Sequence, residues 1–341
     1  GTLAKHVIGY LNRRDRIGQT GIEKAFDKEL RGDAAFEIIT MTDASKNPIR
    51  GMGYRIKKYD DSGVLNVKLT LDYHVQKIVE EAMDESDISG AVVVEDIATG
   101  DILAMASRPD YNQEKVEDYL NSNNNELFNK ATAAYNLGSV FKLVDVAAFY
   151  ENYDEVLLKL NDEAYGMDLD NYCCQGGVDV NGLLFKCSSY PMGGHGYLNM
   201  EQAFAKSCNS YFIDLCQRVG YRNIIDMAGK FGLGEATGIF GQGINEAKGN
   251  LPPGDGYFSR ADIANIAIGQ GALLATPLQV ADTVATVANG GIKNTVNIVD
   301  SIVDDKGNVV KEIRVRQGRR IISKSTADRI KDLMEVATIY G

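Results

Sequence analysis

Ser139 and Lys142 are the residues best placed by type and spacing to do chemistry. They stand in "NLGSVFKLVDVAAFYE", residues 136–151. A serine hydroxyl is a weak nucleophile until a neighbouring base takes its proton. On a helix, residue i+3 lies one turn above residue i on the same face, so Lys142 is aimed at Ser139. A serine in the first turn also has a backbone N–H with no intrahelical acceptor, free to face a developing oxyanion. The lysine serves as a base only when neutral. An ordinary pKa of about 10.4 therefore demands burial or a second cation nearby. A lone Ser-x-x-Lys arises about once by chance in a chain of this length, so its setting decides its meaning.

A hydroxyl and a carboxamide would complete such a site, and Ser-x-Asn occurs three times: Ser45–Asn47, Ser122–Asn124 and Ser207–Asn209. Only Ser207-Cys208-Asn209 stands in a structured, partly apolar setting, where the turn "SCNS" interrupts two helical stretches. Other nucleophile systems are poorly represented. No Gly-x-Ser-x-Gly elbow is present. His6, His74 and His195 are far apart and none adjoins a nucleophile.

A second cluster is "DLDNYCCQGGVDVNGLLFKCSSYPMGGHG", with Asp168, Asp170, Cys173, Cys174, Cys187 and His195. Thiolates and an imidazole in a glycine-rich loop suit a structural tetrahedral zinc. The expected ligands are Cys174, Cys187, His195 and Asp170, with Cys173 as the substitute. A disulfide from Cys187 to Cys173 or Cys174, and free thiols, stand as alternatives. Cys208 and Cys216 read as buried packing groups on helical stretches.

The elements that must position these residues are legible in outline. "VLNVKLTLD" alternates like a strand. A helix follows, with Asp72 as N-cap and Val75, Ile78, Val79 and Ala82 on one face. "GAVVVEDIATGDILAMAS" reads as a hairpin. Residues 110–130 are polar and Asn-rich, an exposed excursion. Helices dominate 131–230, and 231–258 is glycine-rich and irregular. A helix, loop and helix cover 261–291, with Gly269, Gln270 and Gly271 as the turn. A hairpin turns around Lys306-Gly307, and a last helix begins near Ser323. Before residue 62 the chain is polar, with a short helix around Glu23–Leu30 and a connector at 51–63. Strands at both ends of a helical middle indicate an α+β domain whose sheet is completed late.

Bulk composition narrows the function. The 341 residues carry a net charge of −11, which makes the chain a poor candidate for phosphate-backbone binding, and no nucleic-acid partner is expected. No apolar run reaches the roughly 18 residues of a membrane span.

The blocks "HVIGYLN", "KLTLDYHVQ", "GAVVVEDIATGDILAMASRPDYN", "LFNKATAAYNLGSVFKLV", "HGYLNMEQAFAKSCNSYF" and "IGQGALLATPLQVA" occur in the order of a class B penicillin-binding protein, and the chain resembles that family over nearly its whole length. The Ser-x-x-Lys and Ser-x-Asn elements belong to this superfamily's motif set. The resemblance implies a penicillin-binding/serine β-lactamase-like transpeptidase fold: an antiparallel sheet flanked by helices plus an all-helical subdomain. Residues 1–62 would be part of a non-catalytic pedestal and 63–341 the transpeptidase domain. It implies Ser139 as acylated nucleophile, Lys142 as base, Ser207 as proton relay and Asn209 as positioner of Lys142 and of the substrate amide. No cofactor is implied for catalysis. The implied activity is peptidoglycan cross-linking at the outer face of the cell membrane. Stem peptides are the substrates, β-lactams the suicide ligands, and a glycosyltransferase and other cell-wall proteins the partners. The alternatives are a β-lactam sensor, a non-catalytic scaffold or a serine β-lactamase. Leu137 and Val140 replace the family's usual proline and threonine. The third family motif, Lys-Thr-Gly, does not occur. The expectation is that its strand follows Gly341, and an N-terminal anchor precedes Gly1, in a longer protein.

Overall fold

The computed structural model of the chain describes residues 3–32, 36–40, 54–58, 63–161, 166–239, 241, 246–255 and 258–340, the second and third of these as backbone only. Short helices α1 (Lys5–Ile8), α2 (Gly21–Ala25) and α3 (Asp27–Arg31) open the chain. The single helix expected around Glu23–Leu30 is thus two, broken where Phe26 leaves helical geometry at φ −118°. Strands β1 (Phe36–Thr40) and β2 (Tyr54–Lys58) pair antiparallel. The expected connector therefore contains a strand; the rest of that stretch, and Ser45–Asn47, lie outside the described residues.

Strand β3 (Asn66–Leu69) leads into α4 (Tyr73–Glu85). Asp72 caps this helix, accepting from the N–H groups of His74 and Val75 at 2.8 and 3.0 Å. Its buried face differs from the apolar pattern: Gln76, Glu80 and Met83 are buried, while Ile78 is 64% exposed. The reason is a polar lock. The Gln76 carboxamide donates to Met105 O and accepts from Met105 N, closing on the backbone of the next hairpin. Glu80 accepts from Gln76 and from the N–H of Ala4, and pairs with Arg108. A helix follows whichever face its neighbours satisfy, and here they satisfy amide and carboxylate.

That hairpin is β4 (Gly90–Glu95) and β5 (Ile102–Arg108), paired along its length. Residues 110–130 were expected to be exposed. Most of them are exposed or half-buried, but Tyr111, Val116 and Glu126 are buried. The segment docks on the N-terminal turns through Lys5–Asp110, His6 Nε2 to Glu126 O, and Tyr111 Oη to Lys5 O.

The helical part comprises α5 (Lys142–Glu151), α6 (Tyr153–Leu160), α7 (Met200–Ala205), α8 (Asn209–Val219), α9 (Tyr221–Lys230), α10 (Arg260–Ala267) and α11 (Pro277–Ala288). Between α6 and α7 lie two small ribbons: β6 (Tyr172–Cys174) with β9 (Gly196–Leu198), and β7 (Gly177–Val180) with β8 (Leu183–Lys186). Phe141, Phe149, Tyr211, Phe212 and Ile224 form the core here. At the end of the chain come β10 (Ile292–Asn294), β11 (Val299–Val303), β12 (Val309–Glu312), β13 (Gly318–Arg320) and α12 (Lys324–Tyr340). β11 lies between β12 and β3, both antiparallel to it. The sheet opened by β3 is indeed completed late, across more than 200 residues of intervening chain.

Candidate active site

Gly138 to Phe141 form a 3-10 turn that opens directly into α5. Lys142 thus stands one turn above Ser139. Ser139 is exposed, whereas Lys142 is 1% exposed, in contact with the helical core and 5.6 Å from the Phe212 ring. The turn is held by a second segment. Tyr135 and Ala275 exchange backbone hydrogen bonds, and Asn136 Nδ2 donates to the carbonyls of Gly271 and Leu273. Gly138 N donates to Gly269 O at 3.0 Å. Gly269 has φ +65°, and a Cβ there would lie 2.0 Å from Gly138 O. The Gly269-Gln270-Gly271 turn, expected as a plain connection, is thus also a brace under the serine.

The second motif arrives from the α7–α8 junction. Ser207 adopts φ +50°, in the left-handed region, and both its hydroxyl and its carbonyl reach Lys142. Lys142 Nζ lies 2.9 Å from Ser139 Oγ, 2.9 Å from Ser207 Oγ, 3.0 Å from Ser207 O and 2.8 Å from Asn209 Oδ1. Ser207 Oγ donates to Ser139 Oγ at 2.6 Å. The four candidate residues therefore form one connected network. The other described Ser-x-Asn, at Ser122, turns its hydroxyl to Glu126 instead. Burial pushes the Lys142 pKa down, opposed by the Asp145 carboxyl one turn further along α5. Asp145 is itself fully buried and its own pKa is pushed up by burial. Burial disfavours the charged form of the amine and so favours the neutral form that a base needs, while the Asp145 carboxyl works against it.

Below this network lies the thiol cluster. Cys174, Cys187, His195 and Cys208 bring their ligand atoms within 4.8 Å of one another. This corrects the expected set at one place. Asp170 is exposed, its N–H turned to Asp168 Oδ1, and Cys208 stands where the fourth ligand was sought. Cys173 is exposed and outside the group, and all five cysteines are free. Neighbouring side chains on a strand face opposite ways, so of the adjacent pair only Cys174 turns inward. Cys187 Sγ to Cys208 Sγ is 3.9 Å, and His195 Nδ1 is 3.6 and 3.5 Å from Cys174 and Cys187 Sγ. Ligands at Zn–S about 2.3 Å and Zn–N about 2.0–2.1 Å on a tetrahedron stand about 3.8 Å (S–S) and 3.5 Å (S–N) apart, so these residues fit that ion. The cluster meets the site directly. Cys208 is the middle residue of the Ser-x-Asn turn, and Asn209 N donates to Cys187 Sγ at 3.3 Å. The sequence carried this signal, since the triplet's central residue is itself a cysteine.

Beside the 135–137 segment that leads to Ser139, β4 pairs only with β5 among the described residues. A cavity of about 660 Å³ lies there, bounded by Val92, Val94, Leu137, Val280 and Val284.

Residues 90–341 match the penicillin binding protein transpeptidase domain. This chain belongs to that family. Among relatives of this penicillin-binding protein chain, stage V sporulation protein D of Bacillus subtilis is 28% identical over 352 residues, covering 100% of this chain and 50% of its own length. Peptidoglycan D,D-transpeptidase MrdA of Acinetobacter baumannii is 27% identical over 325 residues, covering 85% and 45%. Penicillin binding protein 3 of Mycobacterium tuberculosis, solved with aztreonam, superposes with a TM-score of 0.72 at 28% identity, covering 98% of this chain and 66% of that one. The chain thus spans about half the length of the curated relatives it matches. The fold is the α+β transpeptidase fold of penicillin-binding proteins.

Proposed function

We propose that this chain carries the acyl-transfer centre of a peptidoglycan D,D-transpeptidase, and that β-lactams acylate it. The observation that carries the reading is Lys142 Nζ held between the hydroxyls of Ser139 and Ser207, 2.9 Å from each. Ser139 Oγ attacks the D-Ala-D-Ala carbonyl while Lys142 takes its proton. The Ser139 N–H, in the first helical turn, is one donor to the oxyanion. The proton passes from Lys142 through Ser207 Oγ to the leaving D-Ala amine as the C–N bond breaks. Asn209 holds Lys142 through Oδ1. The amine of a neighbouring stem then attacks the acyl-enzyme, returning its proton by the same route and freeing Ser139. A β-lactam opens on the same serine and leaves an acyl group that is slow to depart. The named relatives, a D,D-transpeptidase and a protein solved with a β-lactam, support this reading.

Residues 1–62 belong, in this reading, to a pedestal and 63–341 to the catalytic domain, working outside the cytoplasmic membrane on an N-terminal anchor beside a glycosyltransferase and other wall-building proteins. A Lys-Thr-Gly strand would take the edge of β4 that has no strand partner among the described residues. Cys174, Cys187, Cys208 and His195 would hold a structural zinc that pins the Ser-x-Asn turn; catalysis itself needs no cofactor.

The test is intact and native mass spectrometry of the protein at its native length, with penicillin and a Ser139→Ala control. One adduct on the wild type, none on the control, and turnover of a stem pentapeptide establish the enzyme. An adduct without peptide turnover marks a β-lactam sensor, and neither marks a scaffold. Rapid hydrolysis of the drug marks a β-lactamase. A native mass one zinc above the chain, lost in Cys208→Ser, supports the metal; a bare native mass from zinc-supplemented protein overturns it.

A further inference from the structure

One cation at the rim of the site takes no part in the proton path. Lys186 ends β8, and its carbonyl accepts from Asn209 Nδ2 at 3.1 Å. The same carboxamide holds Lys142 through Oδ1 at 2.8 Å. The backbone of Lys186 is therefore three hydrogen bonds from Ser139 Oγ, on the Asn209 side. Its side chain is exposed and lies over the Tyr190 ring, Nζ 4.5 Å from the centroid. It makes no ion pair with any acid among the described residues. Lys206, also exposed, precedes Ser207 and likewise has no acid partner there. Two unpaired cations flank the Ser-x-Asn turn of a chain whose net charge is −11. An ammonium resting on an aromatic face keeps its outward N–H donors available, and the ring limits the swing of the long side chain. Tyr190, Met192 and Tyr197, in the segment that follows β8, are also exposed.

We propose that Lys186 is a specificity-determining residue that binds a free carboxylate of the stem peptide, upstream of its D-Ala-D-Ala terminus. The inference rests on the transpeptidase reading. Lys186 stands on the Asn209 side of Ser139, where the family resemblance puts the substrate's upstream amide, so the carboxylate it would meet belongs to the acyl half rather than to the departing D-Ala. A charge-assisted hydrogen bond at a partly exposed rim selects between a carboxylate and its carboxamide.

The experiment compares wild type with Lys186→Met, which keeps an apolar side chain on Tyr190, in the protein at its native length. Two stem pentapeptides are used, one with the free carboxylate and one with that group amidated, together with penicillin. The expected result is a KM about tenfold higher for the free-carboxylate peptide, equivalent to about 1.4 kcal/mol, with kcat unchanged. The amidated peptide and the rate of penicillin acylation should stay within about twofold of wild type. Equal effects on both peptides, or none, overturn the assignment. A matching fall in penicillin acylation also overturns it, because the lysine would then hold the terminal carboxylate. A wild type that takes penicillin yet turns over neither peptide is a different result and sinks the transpeptidase reading on which the inference stands.

Discussion

At the scale of single residues, the candidate site sets an exposed serine beside a buried lysine. An ordinary lysine, with a pKa near 10.4, is almost wholly protonated at pH 7. Burial lowers the Lys142 value, so its neutral fraction grows at a lower pH than that of a surface lysine. In the proposed mechanism acylation needs the neutral form. The rate of penicillin labelling should therefore rise with pH and level off above the folded pKa, with the midpoint below 10.4. Lys142→Arg cannot deprotonate in this range and should lose at least about 100-fold. A midpoint at or above 10.4, or an active arginine variant, would remove Lys142 as the base. The stability sign follows from the same shift. Between the folded and the unfolded pKa the unfolded chain binds more protons, so this group's contribution to stability grows as pH rises through that interval.

At the scale of elements, the serine is placed by a helix start and by a glycine turn more than 100 residues away in sequence. Gly269 has positive φ and touches the Gly138 backbone, so an added Cβ must displace the turn that carries Ser139. Gly269→Ala should lower the acylation rate at least about tenfold and cost about 1–3 kcal/mol of stability. Gly182 supplies the control. It too has positive φ, +84°, but nothing lies within 4 Å of an added Cβ. Gly182→Ala should cost only about 1 kcal/mol, since positive φ is then its sole penalty, and leave labelling unchanged. Equal acylation in the two variants would show that Gly269 does not position the serine. The Ser-x-x-Lys spacing was readable because its geometry is local to one helical turn. The brace was not, because two distant glycines show nothing of their contact until the chain folds.

At the scale of the whole molecule, the N-terminal turns and the catalytic part are joined by buried polar groups. Arg108 lies between Glu80 and Asp84, at 3.2 and 2.5 Å, with the first of these pairs almost fully buried. Glu80 also accepts from the N–H of Ala4. Removing the guanidinium strands a buried carboxylate, so Arg108→Met should cost about 3 kcal/mol in urea unfolding. The double variant with Glu80→Gln should recover part of that loss. A change below about 1 kcal/mol would mean that Arg108 does not hold the junction. The apolar pattern of α4 predicted Val75, Ile78, Val79 and Ala82 inside, and that pattern misled for the same reason. The neighbouring surfaces offer Met105's backbone and Arg108, which are matched by Gln76 and Glu80.

The sequence by itself determined what depends on neighbours within a turn or two of chain: the Ser139–Lys142 pairing, the Asp72 cap, the β4–β5 hairpin, and the choice of Ser207–Asn209 from its setting. Ordered blocks also carried the family and the fold class. Tertiary structure alone decided which groups share a space. It exchanged Asp170 for Cys208, because the turn that brings Asn209 to Lys142 also turns Cys208 toward Cys187. It buried Tyr111, Val116 and Glu126 within the otherwise largely exposed 110–130 segment, because the N-terminal turns meet its backbone and charges. Local spacing reports the direction of a side chain along its own element, whereas what that side chain meets depends on the docking of elements far apart in sequence.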